Sequence, residues 1–237
     1  SDVEPTVISY NAGISACEKG GQWQQALGLL GDMRRSQLEA DVISYNAGVS
    51  ACEKGAQWQH ALALLHELRE AELEMNVMSC SAGVSACANG GVWPRALSLF
   101  FEMLGAGLEP DVVSYGSAIN ACEESGQWQS VLSLLGGMRE ARIEPDAGAY
   151  IMGSKACLKG GRWQEALVMI GRSFEVEPEP NVMIYSAGVS ACEKCGEWRQ
   201  ALRLLGEARM ARLTPGVVGY SAGVSACEKG GRWDLAL

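Results

Sequence analysis

Apolar residues recur along this chain at two spacings, one local and one long. Locally, Tyr10, Ile14 and Cys17 stand at i, i+4 and i+7, which puts them on one face of a helix. Gly20 and Gly21 then break that helix, and Trp23, Ala26, Leu27 and Leu30, continued by Met33, form the apolar stripe of a second one. A turn such as Leu108-Glu109-Pro110-Asp111 closes the unit: Pro blocks continuation and Asp can cap the next helix. The long spacing is 35 residues. It carries every Trp (Trp23, Trp58, Trp93, Trp128, Trp163, Trp198 and Trp233) and every Tyr (Tyr10, Tyr45, Tyr115, Tyr150, Tyr185 and Tyr220, with Cys80 in the vacant place). A third comb runs from Leu27 through Leu62, Leu97, Leu132, Leu167 and Leu202 to Leu237.

Helices of about a dozen residues are marginal alone, so successive hairpins must bury their stripes against one another. The expected fold is an all-α solenoid of tandem 35-residue helix-turn-helix units, spanning 7–41, 42–76, 77–111, 112–146, 147–181, 182–216 and a partial 217–237 in one array. Glu4-Pro5 echoes Glu109-Pro110 and Leu237 falls inside a second helix, so the chain reads as a piece of a longer array. Gly13 sits mid-helix, where it costs about 1 kcal/mol relative to Ala. The position is Gly in six of seven units, Ala118 being the exception, and it reads as a close approach between helices. The fifth unit ends irregularly at Phe174–Pro180, with Pro178 in place of an apolar residue such as Leu108, and a local distortion is expected there.

Composition narrows the function classes. With 48% hydrophobic and 20% charged residues in 237, the chain is a folding, soluble one with no run long enough to span a bilayer, and no membrane partner is expected. SDVEPTVISY has no secretory-signal pattern and is too short and acidic for a transit peptide. Net charge is −9, which opposes a polyanionic partner. Its distribution is uneven: residues 1–146 carry 8 Lys and Arg against 19 Asp and Glu, a net of −11, and residues 147–237 carry +2. Seven of nine cysteines (Cys17, Cys52, Cys87, Cys122, Cys157, Cys192 and Cys227) share one unit position, the mark of buried, reduced thiols. Cys192 and Cys195 form a single C-x-x-C without a second pair, and His60 and His66 share no helix face, so no metal is expected. The Trp comb shares a stripe with Ala26 and Leu27 and reads as core. No Ser-His-Asp set, phosphate loop or deaminase motif appears, so neither an enzyme nor a cofactor is expected.

The stretches VISYNAGVSACEKG, QWQQALGLL and GLEPD resemble the pentatricopeptide repeat family, whose unit begins V-x-[ST]-Y-N, passes through C-x-x-G and ends G-x-x-P-D. The 35-residue period separates it from the 34-residue tetratricopeptide repeat. The resemblance covers essentially the whole chain. It implies a right-handed superhelix whose first helices line a groove for single-stranded RNA, each unit reading one base. One selector follows the Tyr of the first helix, the other is the last residue before the next unit, and an apolar residue near the helix start sandwiches the base.

Carried over unit by unit, Asn11 with Asp41 resembles the uracil-preferring pair. Asn46 with Asn76 resembles a pyrimidine pair leaning to cytosine, and Ser81 with Asp111 the guanine class. Ile8, Ile43, Met78 and Val113 are the flanking apolar residues. Gly116 with Asp146, Ile151 with Asn181 (beside Gly148) and Ser186 with Gly216 depart from the pattern and receive no base. Lys19, Lys54, Lys159, Lys194 and Lys229 recur before the glycine turn, where the family often meets phosphate; Asn89 and Glu124 replace them in two units. A lysine there also favours the helix dipole with no RNA present. The function implied is a monomeric RNA-binding adaptor for organellar transcripts, in mitochondrion or chloroplast. The alternative is a helical-repeat scaffold for a protein or peptide, which the acidity favours. Because the readable selectors lie in the acidic part, modest RNA affinity is expected.

Overall fold

The computed structural model describes residues 6–176 and 182–232. These form thirteen helices and no strand: α1 (Val7–Lys19), α2 (Trp23–Arg35), α3 (Val42–Lys54), α4 (Trp58–Glu70), α5 (Val77–Asn89), α6 (Trp93–Gly105), α7 (Val112–Glu124), α8 (Trp128–Glu140), α9 (Ala147–Lys159), α10 (Trp163–Val176), α11 (Val182–Cys195), α12 (Trp198–Met210) and α13 (Val217–Lys229). The architecture is an α-solenoid of helical repeats. No helix among the described residues is long and apolar enough to cross a membrane. Pro178, Asn181, Trp233 and Leu237 lie outside the described residues, and so do Glu4 and Pro5. The helix before Pro178, α10, has 14 residues where the second helices before it have 13.

The first helices α1, α3, α5, α7 and α9 begin on a polar side chain. Thr6, Asp41, Asn76 and Asp146 accept from the backbone N–H three residues on, satisfying a donor that the helix itself leaves unpaired. They end on glycine turns. Gly21 there adopts φ +66, open to glycine, whereas Ala56 holds φ +52 at the equivalent place against its Cβ.

Chain contacts divide into two units, residues 1–121 and 122–237. In the first, α1, α3 and α5 stack in succession. Each packs on its own second helix, and α2 and α4 also reach the following first helix. Ile14, Leu30, Met33, Val49, Leu68, Val84, Phe100 and Met103 fill the core at 2% exposure or less. Each contributes about 1.5–3 kcal/mol of transfer free energy. Burial pushes the Cys52 and Cys87 thiols up to about 11. The mid-helix glycines serve side chains more than helix backbones: a Cβ at Gly48 would lie 2.7 Å from Leu30 Cδ1 and 3.0 Å from Leu64 Cδ1. Two successive second helices are tied by Arg34 to Glu67, and the next pair by Arg69 Nη2 to Glu102 Oε2 at 2.6 Å.

In the second unit α9 packs on α8, α10 and α11, and α11 on α10, α12 and α13. Val131, Leu134, Leu135, Met138, Ile170, Val189, Ala201 and Ala226 form its buried interior. The Cys157 thiol is pushed up to about 11 and Cys192 to about 12, in both cases chiefly by burial.

The tryptophans correct the sequence reading. Trp23, Trp58, Trp93, Trp128 and Trp198 are half-buried rather than core, and Trp163 is 40% exposed. Trp23, Trp58, Trp128 and Trp198 each seat on the glycine turn of the following unit, where a Cβ at Gly55, Gly90, Gly160 or Gly230 would collide with the ring. The large aromatic surface joins repeats to one another instead of filling a hairpin's own interior.

Candidate nucleic-acid interface

The residues expected to select bases are built into the helix starts. In the first pair, Asn11 Nδ2 donates to Asp41 Oδ1 at 3.1 Å and Oδ2 at 3.3 Å. Asp41 in turn caps α3, accepting from Ser44 N–H at 2.8 Å, while Asp41 N–H donates to Ser44 Oγ at 3.2 Å. Ser44 Oγ also lies 2.5 Å from Asn11 Oδ1 and 2.8 Å from Asp41 Oδ1. A hydroxyl has one proton. Asp41 Oδ1 already accepts from two N–H groups, so the Ser44 proton goes to Asn11 Oδ1 and closes a three-residue ring. Burial pushes the Asp41 carboxyl up, but hydrogen bonds from Ser44 and Asn11 outweigh it and hold the group below the usual carboxylate range.

The third pair is linked through the same anchor. Ser81 and Ser114 share a hydrogen bond between their hydroxyls, and Ser114 Oγ reaches Asp111 Oδ1 at 2.6 Å. Ser114 N–H donates to that same oxygen at 2.8 Å. Donation from Ser114 to the carboxylate obliges Ser81 to donate to Ser114, which leaves Ser81 only lone pairs to offer outward. The second pair is looser: Asn46 Nδ2 lies 3.4 Å from Asn76 Oδ1, and Asn46 Oδ1 is buried without a hydrogen-bond partner. Asn76 still caps α5 through Ser79. Asn11 and Asn46 are half-buried, whereas Ser81 is only 7% exposed.

Ile8, Ile43, Met78 and Val113 all stand out into solvent, at 80%, 62%, 69% and 61% exposure, each three residues before a first-helix position. Around the third pair the arrangement is a cavity of about 400 Å³ that Met78, Ser81, Asp111 and Val113 line together with Ser50 and Glu53. Large apolar side chains are rarely left this exposed without cause when they recur at one register.

Later units lack this machinery. Ala149, Ile184 and Gly219 occupy the place of Ser44, Ser79 and Ser114. Ile151, at a reading position, is buried at 3% exposure, and Gly216 begins α13 with no side-chain cap. Gly116 and Gly148 offer no side chain.

All five recurring lysines are exposed, and three of them are engaged across a repeat boundary. Lys54 Nζ lies 2.9 Å from Glu18 Oε1, Lys159 Nζ 3.0 Å from Glu123 Oε1, and Lys229 Nζ 2.7 Å from Glu193 Oε1. Lys159 donates as well to the carbonyls of Glu123 and Glu124, the helix-end role. Lys229 and Ser225 hold Glu193 below the usual carboxylate range, against burial. Lys19 and Lys194 have no such carboxylate among the described residues; Leu158 stands where Lys194 would find one. Cys195, the second cysteine of the C-x-x-C, donates to Ala191 O at 2.7 Å.

Two sets of residues were missed by the sequence reading. The anchor serines carry a signal, a serine three residues after each cap, which is the spacing of a capping box. The Glu–Lys pairs carry another, a 36-residue offset.

Comparison with known proteins gives two family matches. Residues 5–54 match the PPR repeat family, and residues 63–124 and 98–152 match the Pentatricopeptide repeat domain, together more than half of the chain. No curated relative matches the chain. Among solved structures, the pentatricopeptide repeat protein PPR10 from maize is 24% identical with a TM-score of 0.71 over 98% of this chain, which spans 33% of that protein. PPR10 in complex with an 18-nt psaJ RNA element is 18% identical, with a TM-score of 0.59 over 99% of this chain and 39% of that one. The PPR domain of Arabidopsis thaliana protein-only RNase P 1 in complex with tRNA is 16% identical, with a TM-score of 0.62 over 68% of this chain and 86% of that one. At these identities the likeness is one of fold.

Proposed function

The chain belongs to the pentatricopeptide repeat family, and on that footing we propose that it is an adaptor that binds single-stranded RNA and reads bases through Asn11–Asp41, Asn46–Asn76 and Ser81–Asp111. One observation carries the reading: in each of three successive units the two selectors are joined by hydrogen bonds, directly or through a serine, beside exposed apolar side chains. A polar pair held in place before binding spends little entropy on becoming ordered.

Counting the free hydrogen-bonding groups supports the base order. Asn11 retains one amide N–H and one carbonyl lone pair, which suits the alternating acceptor and donor of uracil. Asn46 Oδ1 lacks a donor, and the exocyclic amine of cytosine supplies one. Ser81 and Asp111 present acceptors only, matching the two adjacent donors on the Watson–Crick edge of guanine and not the mixed edge of adenine. Exposed Ile8, Ile43, Met78 and Val113 cover the base faces. The solved PPR10 complex with an RNA element supports the ligand class. The setting proposed is the processing, stabilisation, editing or translation of transcripts in mitochondria or chloroplasts.

Fluorescence anisotropy tests this reading: a probe carrying U-C-G, or U-U-G, in the order of the three units binds more tightly than oligo-A. Equal affinity for both sinks the base assignment. A second reading, a scaffold for a protein or peptide, draws on the net charge of −9 and on the glutamates that neutralise Lys54, Lys159 and Lys229. It gains if no RNA binds at all.

A further inference from the structure

The arginine–glutamate ties between successive second helices are inverted at one place. Arg34 meets Glu67 and Arg69 meets Glu102, in each case 33 residues on. At the same register and offset, Arg139 of α8 is followed by Arg172 of α10. Both line a cavity of about 680 Å³, together with Arg142, Tyr150, Ile143 and Val176, among others. An equivalent cavity of about 490 Å³ lies three repeats earlier, where Arg34, Gln37 and Tyr45 stand in place of Arg139, Arg142 and Tyr150. There Glu67 neutralises Arg34. Here three guanidiniums stand in place of one. Glu144 and Glu175, also in the lining, are exposed and form no ion pair with an arginine among the described residues. Tyr150 adds a further donor. It is 4% exposed, and its hydroxyl oxygen accepts from Arg139 Nη2 at 2.5 Å, which leaves the phenolic proton without an acceptor among the described residues.

We propose that this cavity binds a phosphate monoester, with the phosphoryl group on Arg139, Arg142, Arg172 and Tyr150 and the organic part against Ile143, Pro145 and Val176. The proposal is independent of the RNA reading, because none of the residues expected to select bases and none of the recurring lysines lines the cavity. Like charges gathered in one cavity repel, and an anion held among them offsets that cost. Phosphate suits the donors better than carboxylate does. They come from α8, the turn after it, α9 and α10, and a phosphoryl group offers three oxygens in three directions where a carboxylate offers two in one plane. The volume exceeds what bare phosphate fills, and the apolar wall gives the rest of an ester a place to lie. Glu144 and Glu175 repel an extended polyanion and so favour a compact ligand over a nucleic-acid strand.

Isothermal titration of the whole chain at fixed ionic strength tests this, with inorganic phosphate, phenyl phosphate, a phosphoserine peptide and malonate as probes. Phenyl phosphate should bind more tightly than inorganic phosphate and about tenfold more tightly than malonate. Arg172→Glu recreates the Arg34–Glu67 arrangement beside Arg139, so it should keep or raise the parent's melting midpoint while weakening phenyl phosphate about tenfold or more. Arg142→Gln installs the residue of the first unit's cavity and should weaken it about fivefold. Arg142 is exposed on a turn, so this variant carries the test if Arg172→Glu melts early. Parental affinity in both variants, malonate binding as tightly as phenyl phosphate, or no binding of either phosphate by the parent overturns the proposal. Displacement of phenyl phosphate by a U-C-G RNA overturns it too, since the cavity would then belong to the RNA path. Tighter binding of the phosphoserine peptide than of phenyl phosphate upholds the site and assigns the ester to a partner protein; the reverse order upholds it and assigns a small phosphorylated molecule.

Discussion

The third and sixth units place the same residue, Ser81 or Ser186, directly after the first-helix aromatic position, and each has an exposed apolar neighbour three residues earlier. Only Ser81 is wired. Ser114 lies beside it and passes the connection on to Asp111, whereas Gly219 and Gly216 fill those places for Ser186. On the proposed reading, a base-reading position is therefore a property of three residues, two of them at the start of the following helix. One side chain can be selective or indifferent according to whether its proton is committed. Charge divides in the opposite sense. Residues 1–146, which hold all three wired pairs, carry −11, and residues 147–237, with Lys155 unpaired among the described residues, carry +2.

The comparison breaks most readily at Asp111. Asp111→Ala removes a selector and a helix cap together, and the predicted outcome is about tenfold less preference for guanine over adenine and about 1 kcal/mol less stability. Ser114→Ala is the discriminating partner, because it keeps the carboxylate and its charge. Affinity for a mixed-sequence RNA should hold to within about twofold there, while preference for guanine falls about threefold as the Ser81 proton is released. Competition anisotropy with paired G and A probes reads the ratio directly. If Ser114→Ala binds with the parent's ratio, selection does not pass through the serine.

Much of this was legible in the residues, and the remainder fails for identifiable reasons. Combs of Trp, Tyr and Leu fix both helices of a unit, since periodicity within a helix and between repeats depends only on order along the chain. Asp41 and Asp111 were visible as caps by the same local rule. Register between neighbouring hairpins is not local. The Trp23 indole seats on Gly55, 32 residues away, and Lys54 finds Glu18 at 36, and neither distance is a multiple of the repeat. Such offsets measure how far one hairpin is displaced along its neighbour, which sequence spacing alone does not encode. For the same reason Trp looked like core when it is a joint. Ser44, Ser79 and Ser114 were passed over because a buried serine in a helix start looks like an ordinary small residue until its partner one repeat back is in place.

The comparison sharpens if the sixth unit can be converted. Gly216→Asp with Gly219→Ser installs a cap, a selector and an anchor beside Ser186. A Cβ at Gly219 would lie 2.7 Å from Pro215 Cβ, but Pro110 and Ser114 coexist at the same separation in sequence, so a small shift suffices. The double variant should gain about threefold in preference for guanine at one further position, with slightly weaker binding overall from the added negative charge. Gly216→Asp alone should cap α13 and raise stability by about 0.5 kcal/mol without that preference. A preference appearing in the single variant would mean that the carboxylate selects unaided.

The smallest expected effect lies in Asp41, and its sign is fixed by the direction of its shift. Hydrogen bonds from Ser44 and Asn11 favour the ionised carboxylate over burial, so the folded chain holds the group below the ordinary value of 3.8. A depressed carboxyl contributes stability above its unfolded value and loses that contribution as pH falls through the folded one. Asn76 performs the same capping in the next unit without a charge, so Asp41→Asn is a conservative probe. The thermal midpoint of the parent should exceed that of Asp41→Asn near neutral pH, and the gap should close as pH drops below about 4. In a Ser44→Ala background the gap should narrow at neutral pH, because Asn11 loses the hydroxyl that orients its amide toward Asp41, but it should persist, because the backbone N–H of the substituted residue, the largest contribution favouring the charge, still donates. A gap that stays constant from pH 7 to well below 4 would mean the ring at Asn11 does not distinguish a carboxylate from an amide, and Asp41 would then be a cap and nothing more.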